Sequence, residues 1–185
     1  MLTPAQRERL LRLAREAVAA AVAGRPMPPE VAVDEPALNE TCGAFVTLKS
    51  RGRLRGCIGQ FVGDGPLWRT VQEMARAAAT EDPRFVASRI QPQEVAALEV
   101  EISVLSPLER TSDPLGLELG KHGIYVRKGF AAGCFLPQVA TETGWSKEEF
   151  LSQCCAGKAG LPPDAWRDPA TEVYLFTAEV FGEKD

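Results

Sequence analysis

The sequence predicts an α+β fold in which helices pack against an antiparallel sheet. Residues 98–107, LEVEISVLSP, alternate apolar and polar side chains as a half-buried strand does. Residues 4–22 instead place apolar side chains at helical spacing. Few β-α-β alternations occur along the chain, and this argues against a parallel sheet with crossover helices. The chain has 185 residues, 45% hydrophobic and 25% charged, which is ordinary for a globular protein.

Two helices are predicted in the N-terminal half. The first begins with a capping box in residues 3–6, TPAQ, and ends at Gly24. Residues 26–39 begin with three closely spaced prolines, which predict a stiff connection followed by a polar loop. The second helix covers residues 66–80, PLWRTVQEMARAAAT, and Pro83 prevents its continuation.

A β-hairpin is predicted between these two helices. CGAFVTLK indicates one strand, SRGR a tight turn and LRGCIGQF a second strand. Side chains alternate along a strand, so we expect Arg55, Cys57 and Gly59 on one face. Leu54, Gly56 and Ile58 would share the other face. The Arg55 guanidinium and the Cys57 thiol would then lie on the same side, about 7 Å apart along the strand.

The second half of the chain predicts a smaller α+β lobe, residues 107–169, inserted into a larger lobe made of residues 1–106 and 170–185. The insertion starts with a glycine-punctuated, hairpin-like stretch and continues with two short helices, PQVATETG and WSKEEFLSQCCAGKAGL. The final strand, TEVYLFTAEVF, is apolar on both faces and predicts a central strand covered above and below.

Charge and composition exclude several classes of protein. The net charge of −4 at pH 7 disfavours nucleic-acid binding, which usually needs a basic surface. No run approaches the roughly 20 apolar residues of a membrane helix. The N-terminus interleaves arginines with Glu8 and Glu16, unlike a secretion signal or a transit peptide. We therefore expect a cytoplasmic protein that has no contact with membranes.

Cysteine and histidine usage argues against disulfides and metals. Five cysteines occur without CxxC spacing, which suits neither a disulfide framework nor a zinc knuckle. With one histidine in the chain, imidazole-rich metal sites cannot be built. We expect no metal and no cofactor.

Cys57 and His122 are the candidates for nucleophilic chemistry. A cation such as Arg55 lowers the pKa of a nearby thiol, and glycines let a ligand approach closely. Cysteine also packs well as a small core hydrophobe, however, and glycine in a strand can mark no more than a bulge. His122 is the one imidazole available as a general base. It could equally be a histidine on an exposed hairpin.

The hexapeptide LRGCIG resembles the signature of the AMMECR family. Six further segments resemble family blocks in family order: GAFVTLK at 43–49, DPRF at 82–85, EISVLSPLE at 101–109, GKHGI at 120–124, LPQVA at 136–140 and KAGL at 158–161. Bacterial members are similar to component A of the AmmeMemoRadiSam system. The resemblance therefore covers nearly the whole chain.

The resemblance implies an architecture and a class of function. It implies a larger lobe that holds both termini, a smaller inserted lobe, and a cleft between them that the LRGCIG strand faces. It also implies a protein or peptide partner in a modification system with Memo-like and radical-SAM proteins. The expected binding motif is Leu54, Arg55, Gly56, Cys57, Ile58 and Gly59.

Two other functions remain open at this point. One is a cysteine-dependent enzyme that performs acyl or group transfer, with Cys57 as nucleophile and His122 as base. The other is a component of the transcription, repair or translation machinery, which the acidic balance disfavours.

Overall fold

The computed structural model describes residues 1–28 and 34–183. It is an α+β protein with an antiparallel sheet flanked by helices, as predicted. The helices are α1 (Pro4–Val22), α2 (Leu67–Thr80), α3 (Pro137–Thr143) and α4 (Lys147–Cys154). The strands are β1 (Ala44–Ser50), β2 (Arg53–Gln60), β3 (Leu98–Leu105), β4 (Glu109–Thr111), β5 (His122–Lys128), β6 (Ala131–Phe135) and β7 (Glu172–Gly182).

The chain divides into two compact units. Unit 1 comprises Met1–Leu105 and Glu179–Asp185, and unit 2 comprises Ser106–Ala178. The sequence placed the second boundary at residue 170, at the start of the last strand. In the structure the boundary falls within β7, so this one strand contributes to both units.

Unit 1 is a sheet covered on one face by α1 and α2. Its strand order is β2-β1-β3-β7, so β2 forms an edge. Every second residue of β1 and β3 points into the core, where Val46, Leu48 and Ile102 are fully buried. None of the described helices is long and apolar enough to cross a membrane.

The ends of α1 and α2 follow the sequence signals. Thr3 and Gln6 form the predicted capping box, in which the Thr3 hydroxyl accepts a hydrogen bond from the Gln6 amide. The helix α2 ends at Thr80, before Pro83. The predicted proline connection and loop lie only partly within the described residues, because residues 29–33 fall outside them.

Unit 2 packs its short helices against a second part of the sheet. Here β5 lies between β6 and β7, and β4 pairs with β7. Its core contains Ile124, Phe150 and Trp166. The second predicted short helix is α4, which continues as a π-helical turn at Cys155–Ala159 that the sequence did not indicate.

The prediction that the last strand is covered on both faces was wrong. The strand β7 is central in the strand order, between β3 and β5. Its side chains at Thr177 and Val180 are nevertheless exposed. Its apolar residues are divided between two cores, with Val173 in one and Phe181 in the other. Because β7 contributes side chains to two different cores, its sequence is apolar on both faces although the strand is not covered on both faces.

Candidate functional site

The register of the β1–β2 hairpin contains a bulge inside the LRGCIG segment. The strand β1 joins β2 through the turn Arg51–Gly52, and both turn residues have positive φ. Lys49 pairs with Leu54, but its neighbour Leu48 pairs with Gly56. One residue of β2, Arg55, is therefore extra.

The bulge overturns part of the predicted alternation. Cys57 and Gly59 lie opposite Thr47 and Phe45 on one face, as expected from a regular strand. Leu54 also lies on that face, because it pairs with Lys49, two residues from Thr47. A bulge shifts every residue before it to the other face, so the face predicted for Leu54 was wrong.

Arg55 is engaged with an acidic side chain and is not the cation beside Cys57. Its Nη2 atom donates to both carboxylate oxygens of Glu94, at 3.2 and 3.3 Å. Glu94 belongs to the 3₁₀ turn Pro92–Ala97, which packs against α1. This ion pair therefore neutralises part of the positive charge of Arg55, which the sequence analysis had placed beside the Cys57 thiol.

Asp82 and Arg84 hold the backbone of Cys57 at the free edge of β2. The Asp82 carboxylate accepts a hydrogen bond from the Cys57 amide at 2.9 Å. It also accepts bonds from Nε and Nη2 of Arg84, at 3.0 and 2.7 Å. Arg84 Nη2 in turn donates to the Cys57 carbonyl at 3.3 Å. Asp82 and Arg84 together therefore bond to both the amide and the carbonyl of Cys57, on the edge strand.

The electrostatics of this group favour the charged forms. The Asp82 side chain is only 2% exposed, and its hydrogen bonds from Arg84 lower the pKa of its carboxyl to about 2. The bonds with Asp82 raise the pKa of the Arg84 guanidinium, and the Cys57 side chain adds smaller contributions in the same direction. Because the Arg84 side chain remains 56% exposed, this cation sits at the surface beside the thiol.

The sulfur of Cys57 also accepts a hydrogen bond on the sheet face. Thr47 Oγ1 donates to Cys57 Sγ at 3.2 Å, across the β1–β2 pair. Further along this face, Lys49 Nζ bonds to Glu101 Oε2 at 2.9 Å. The thiol is half-buried and sits among polar groups, not in the aliphatic core.

The glycines of LRGCIG make room for neighbouring parts of unit 1. A Cβ added to Gly56 would lie 2.0 Å from the carbonyl oxygen of Ala78 in α2. One added to Gly59 would lie 2.2 Å from the ring of Phe45. The sequence interpretation gave these positions to an approaching ligand. In the structure, α2 and Phe45 occupy them.

His122 lies in unit 2 and is held in one tautomer. Its Nδ1 atom accepts a hydrogen bond from the Glu118 amide at 2.9 Å. While that bond is in place, the proton of the neutral imidazole is on Nε2, and the ring presents a donor. The half-buried ring lines a groove of about 370 Å³ together with Ser106 and Arg110. Cys57 belongs to unit 1, and the pairing of the two residues stays a prediction.

Burial raises the thiol pKa of each of the other four cysteines, although Cys42 and Cys134 are half-buried like Cys57. Cys154 and Cys155 are fully buried, as expected for core-filling residues, and burial raises the pKa of both thiols. Burial also raises the pKa of Cys134, to about 11. Within residues 1–28 and 34–183, no cluster of three or more His, Cys, Asp or Glu residues could hold a metal ion.

Sequence reasoning missed Asp82 and Arg84. The segment DPRF was noticed because it resembles a family block, but nothing local assigned a role to it. Asp82 lies 25 residues from the amide that it binds. An aspartate two residues before an arginine was the one available signal, and it does not identify the partner strand.

The fold and this site define an α+β protein with a half-buried thiol on the edge strand of an antiparallel sheet. A model of the AMMECR1 family matches residues 11–181. The chain therefore belongs to the AMMECR1 family, as the resemblance predicted.

Relatives and a solved structure agree with this assignment over most of the chain. A protein of Thermococcus gammatolerans is 46% identical over 189 residues, which cover 96% of this chain and 90% of the relative. Protein MK0488 of Methanopyrus kandleri is 42% identical and covers 100% of this chain and 91% of the relative. The crystal structure of uncharacterized protein PH0010 from Pyrococcus horikoshii matches with a TM-score of 0.85 at 40% identity, covering 96% of this chain and 91% of that one.

Proposed function

We propose that unit 1 recognises a protein or peptide partner through the edge of β2 and the adjacent sheet face around Cys57. The partner would belong to a modification system that includes Memo-like and radical-SAM proteins. The binding motif remains the LRGCIG strand. Arg84, and not Arg55 of that strand, is the residue that binds an anionic or carbonyl group of the partner.

One observation carries this proposal: the fixed arrangement of Asp82, Arg84 and Cys57. A buried carboxylate holds the exposed guanidinium in one orientation, with Nε and Nη2 turned toward Asp82. An arginine that is already immobilised loses little side-chain entropy when it binds, and the guanidinium donors that do not bond to Asp82 or Cys57 suit carboxylates and carbonyl groups. Such pre-organisation is typical of residues that dominate an interface.

Replacement of Arg84 by lysine tests the partner assignment. We expect Arg84→Lys to weaken binding of the Memo-like or the radical-SAM protein of the same organism by about tenfold, because lysine keeps the charge but cannot bond to Asp82 and to the partner at the same time with a fixed planar group. The dissociation constants of the purified proteins are measured by calorimetry. Arg76→Lys is the matched control, because Arg76 is an exposed arginine of α2 that pairs with the exposed Glu81.

Two results would contradict the proposal. One is an unchanged dissociation constant for Arg84→Lys when the circular dichroism spectrum shows an intact fold. The other is the absence of binding of either protein to the wild-type chain at concentrations of about 100 μM, the weak end of specific association.

A cysteine-dependent enzyme is the second candidate, and the hydrogen bond from Thr47 to the Cys57 sulfur favours it. A cysteine sulfur that accepts a bond from a hydroxyl and lies beside a guanidinium has polar neighbours of the kind found around nucleophilic cysteines. The tautomer of His122 argues against that residue as the base, because Nδ1 is occupied and Nε2 carries the proton.

Alkylation of Cys57 shows whether Thr47 or His122 affects the reactivity of its thiol. We expect the rate of iodoacetamide modification, followed by mass spectrometry of the Cys57 peptide, to fall in Thr47→Val and to stay unchanged in His122→Ala. Cys134 in the same sample is the slow internal reference, because burial raises its pKa to about 11. A rate that falls in His122→Ala would instead support the Cys57–His122 enzyme.

A further inference from the structure

A groove in unit 2 lies between β4 and the segment that leads into β7. Its volume is about 570 Å³, which is in the range of small-molecule sites. Arg110, Thr111 and Ser112 line one side, and Arg167, Asp168 and Thr171 line the other. Neither function considered above uses this groove.

Thr171 contributes a buried hydroxyl without a partner. The residue is only 7% exposed, and across residues 1–28 and 34–183 its Oγ1 atom has no hydrogen-bond partner. Buried hydroxyls are usually paired, because an unpaired one carries the full cost of desolvation. An acceptor atom on a bound molecule would supply the missing bond.

Arg167 presents a pre-positioned guanidinium to the same groove. Its Cζ atom lies 4.6 Å from the centre of the Trp166 ring, so the ring supports the cation. Its ion pair is with Glu148, at 3.3 Å through Nη2, and both side chains are about 60% exposed. An exposed pair of this length contributes little free energy, so it does not prevent Arg167 from binding a ligand.

Arg110 is the second cation of the groove. Its ion-pair contact with Glu172 is 3.7 Å long, and the Arg110 side chain is 61% exposed. The same carboxylate accepts a bond of 2.7 Å from Arg127 Nε. The stronger partner of Glu172 is therefore Arg127, and the Arg110 guanidinium keeps its donors for other groups.

Asp168 is the acidic residue of this lining, and its carboxylate is already paired with other groups. Its two oxygens accept hydrogen bonds from Lys128 Nζ at 2.7 Å and from the Ala170 amide at 2.9 Å. The lining thus offers two guanidinium groups and an unpaired hydroxyl, while its acid is already satisfied. Such a set of donors matches a ligand that brings several acceptor oxygens.

We propose that this groove binds the phosphate group of a small molecule, held by Arg110, Arg167 and the Thr171 hydroxyl. A guanidinium group can donate two hydrogen bonds to two phosphate oxygens, and a hydroxyl can donate to a third oxygen of the tetrahedral group. The limited volume favours a small molecule over a polymer. The proposal is independent of the partner site in unit 1.

Titration with inorganic phosphate at constant ionic strength tests the proposal. Proton–nitrogen NMR follows the amide signals of Thr111, Ser112 and Thr171. We expect saturable shifts at these amides, and an affinity about tenfold lower in both Arg167→Gln and Thr171→Val. Thr171→Val removes an unpaired hydroxyl and keeps the shape, so its Tm should equal or exceed that of the wild type.

Controls and a competing anion make the outcomes distinct. Arg76→Gln, in α2 of unit 1, should bind phosphate like the wild type. Equal phosphate affinity in the wild type and in Thr171→Val would overturn the proposal, as would shifts that do not saturate and spread over other exposed arginines. Acetate that binds with the same affinity as phosphate would overturn the assignment to phosphate.

Discussion

Gly56→Ala is expected to lower the free energy of unfolding by about 3 kcal/mol, the upper end of the usual cost of overpacking. The added methyl group would lie 2.0 Å from the Ala78 carbonyl oxygen, and the atom that it meets is backbone of α2, not a flexible side chain. Either α2 moves away from the sheet or β2 bends. A chain of this length should then lose roughly 6–12 °C in Tm, measured by thermal unfolding.

Gly65→Ala is the matched control for this substitution. Its Cβ would lie 3.7 Å from Arg69 Cδ, an ordinary contact, and Gly65 does not have a positive φ. We expect a change within about 0.5 kcal/mol. A Gly56→Ala variant that is as stable as this control but deficient in partner binding would contradict the packing role of Gly56. It would indicate that a ligand, and not α2, contacts this position.

Asp82→Asn is expected to lower the free energy of unfolding by about 2–3 kcal/mol, because it removes a charge-assisted network at a buried position. Each carboxylate oxygen accepts two bonds: Oδ1 from the Arg84 amide and Nε, Oδ2 from the Cys57 amide and Arg84 Nη2. Whichever way the asparagine side chain is flipped, its NH₂ group would face two hydrogen-bond donors. Urea unfolding at neutral pH measures the loss.

Acid provides a second measurement on Asp82. Its pKa is about 2 in the folded chain against 3.8 for the free side chain, so its stabilising effect is fully present above pH 3.8 and is lost as the pH falls through 2. The difference in stability between the wild type and Asp82→Asn should therefore shrink by about 2 kcal/mol between pH 5 and pH 2.

Asp64→Asn is the control for both measurements on Asp82. Asp64 is exposed and accepts one bond, from Gln60 Nε2 at 3.3 Å. Its replacement should change stability by less than about 0.5 kcal/mol at neutral pH. An Asp82→Asn variant that behaves like Asp64→Asn would contradict the buried, four-bond carboxylate described above.

Local signals were enough to predict most of the fold. The capping box at Thr3 and the alternation in β3 each depend on residues a few positions apart, so the sequence contains the whole signal. Gly56 allowed a bulge to be considered, but the position of the extra residue at Arg55 depends on how β2 pairs with β1, which the sequence of β2 does not specify.

The candidate site could be predicted only in part, because its hydrogen bonds join distant segments. Cys57 was found from its glycine neighbours, although those glycines serve packing. Asp82 reaches it from beyond α2, and Glu118 fixes the tautomer of His122 through a turn. A single sequence indicates which residue types are present, but these roles arise only when the chain has folded.

The pair of bonds at Cys57 also bears on how the chain avoids aggregation. An uncovered edge strand offers its amides and carbonyls to any extended segment that meets it. At Cys57, Asp82 accepts from the amide and Arg84 donates to the carbonyl, as a neighbouring strand would. Two side chains thus close the middle of β2 to intermolecular strand pairing, and the exposed guanidinium of Arg84 keeps this edge hydrated.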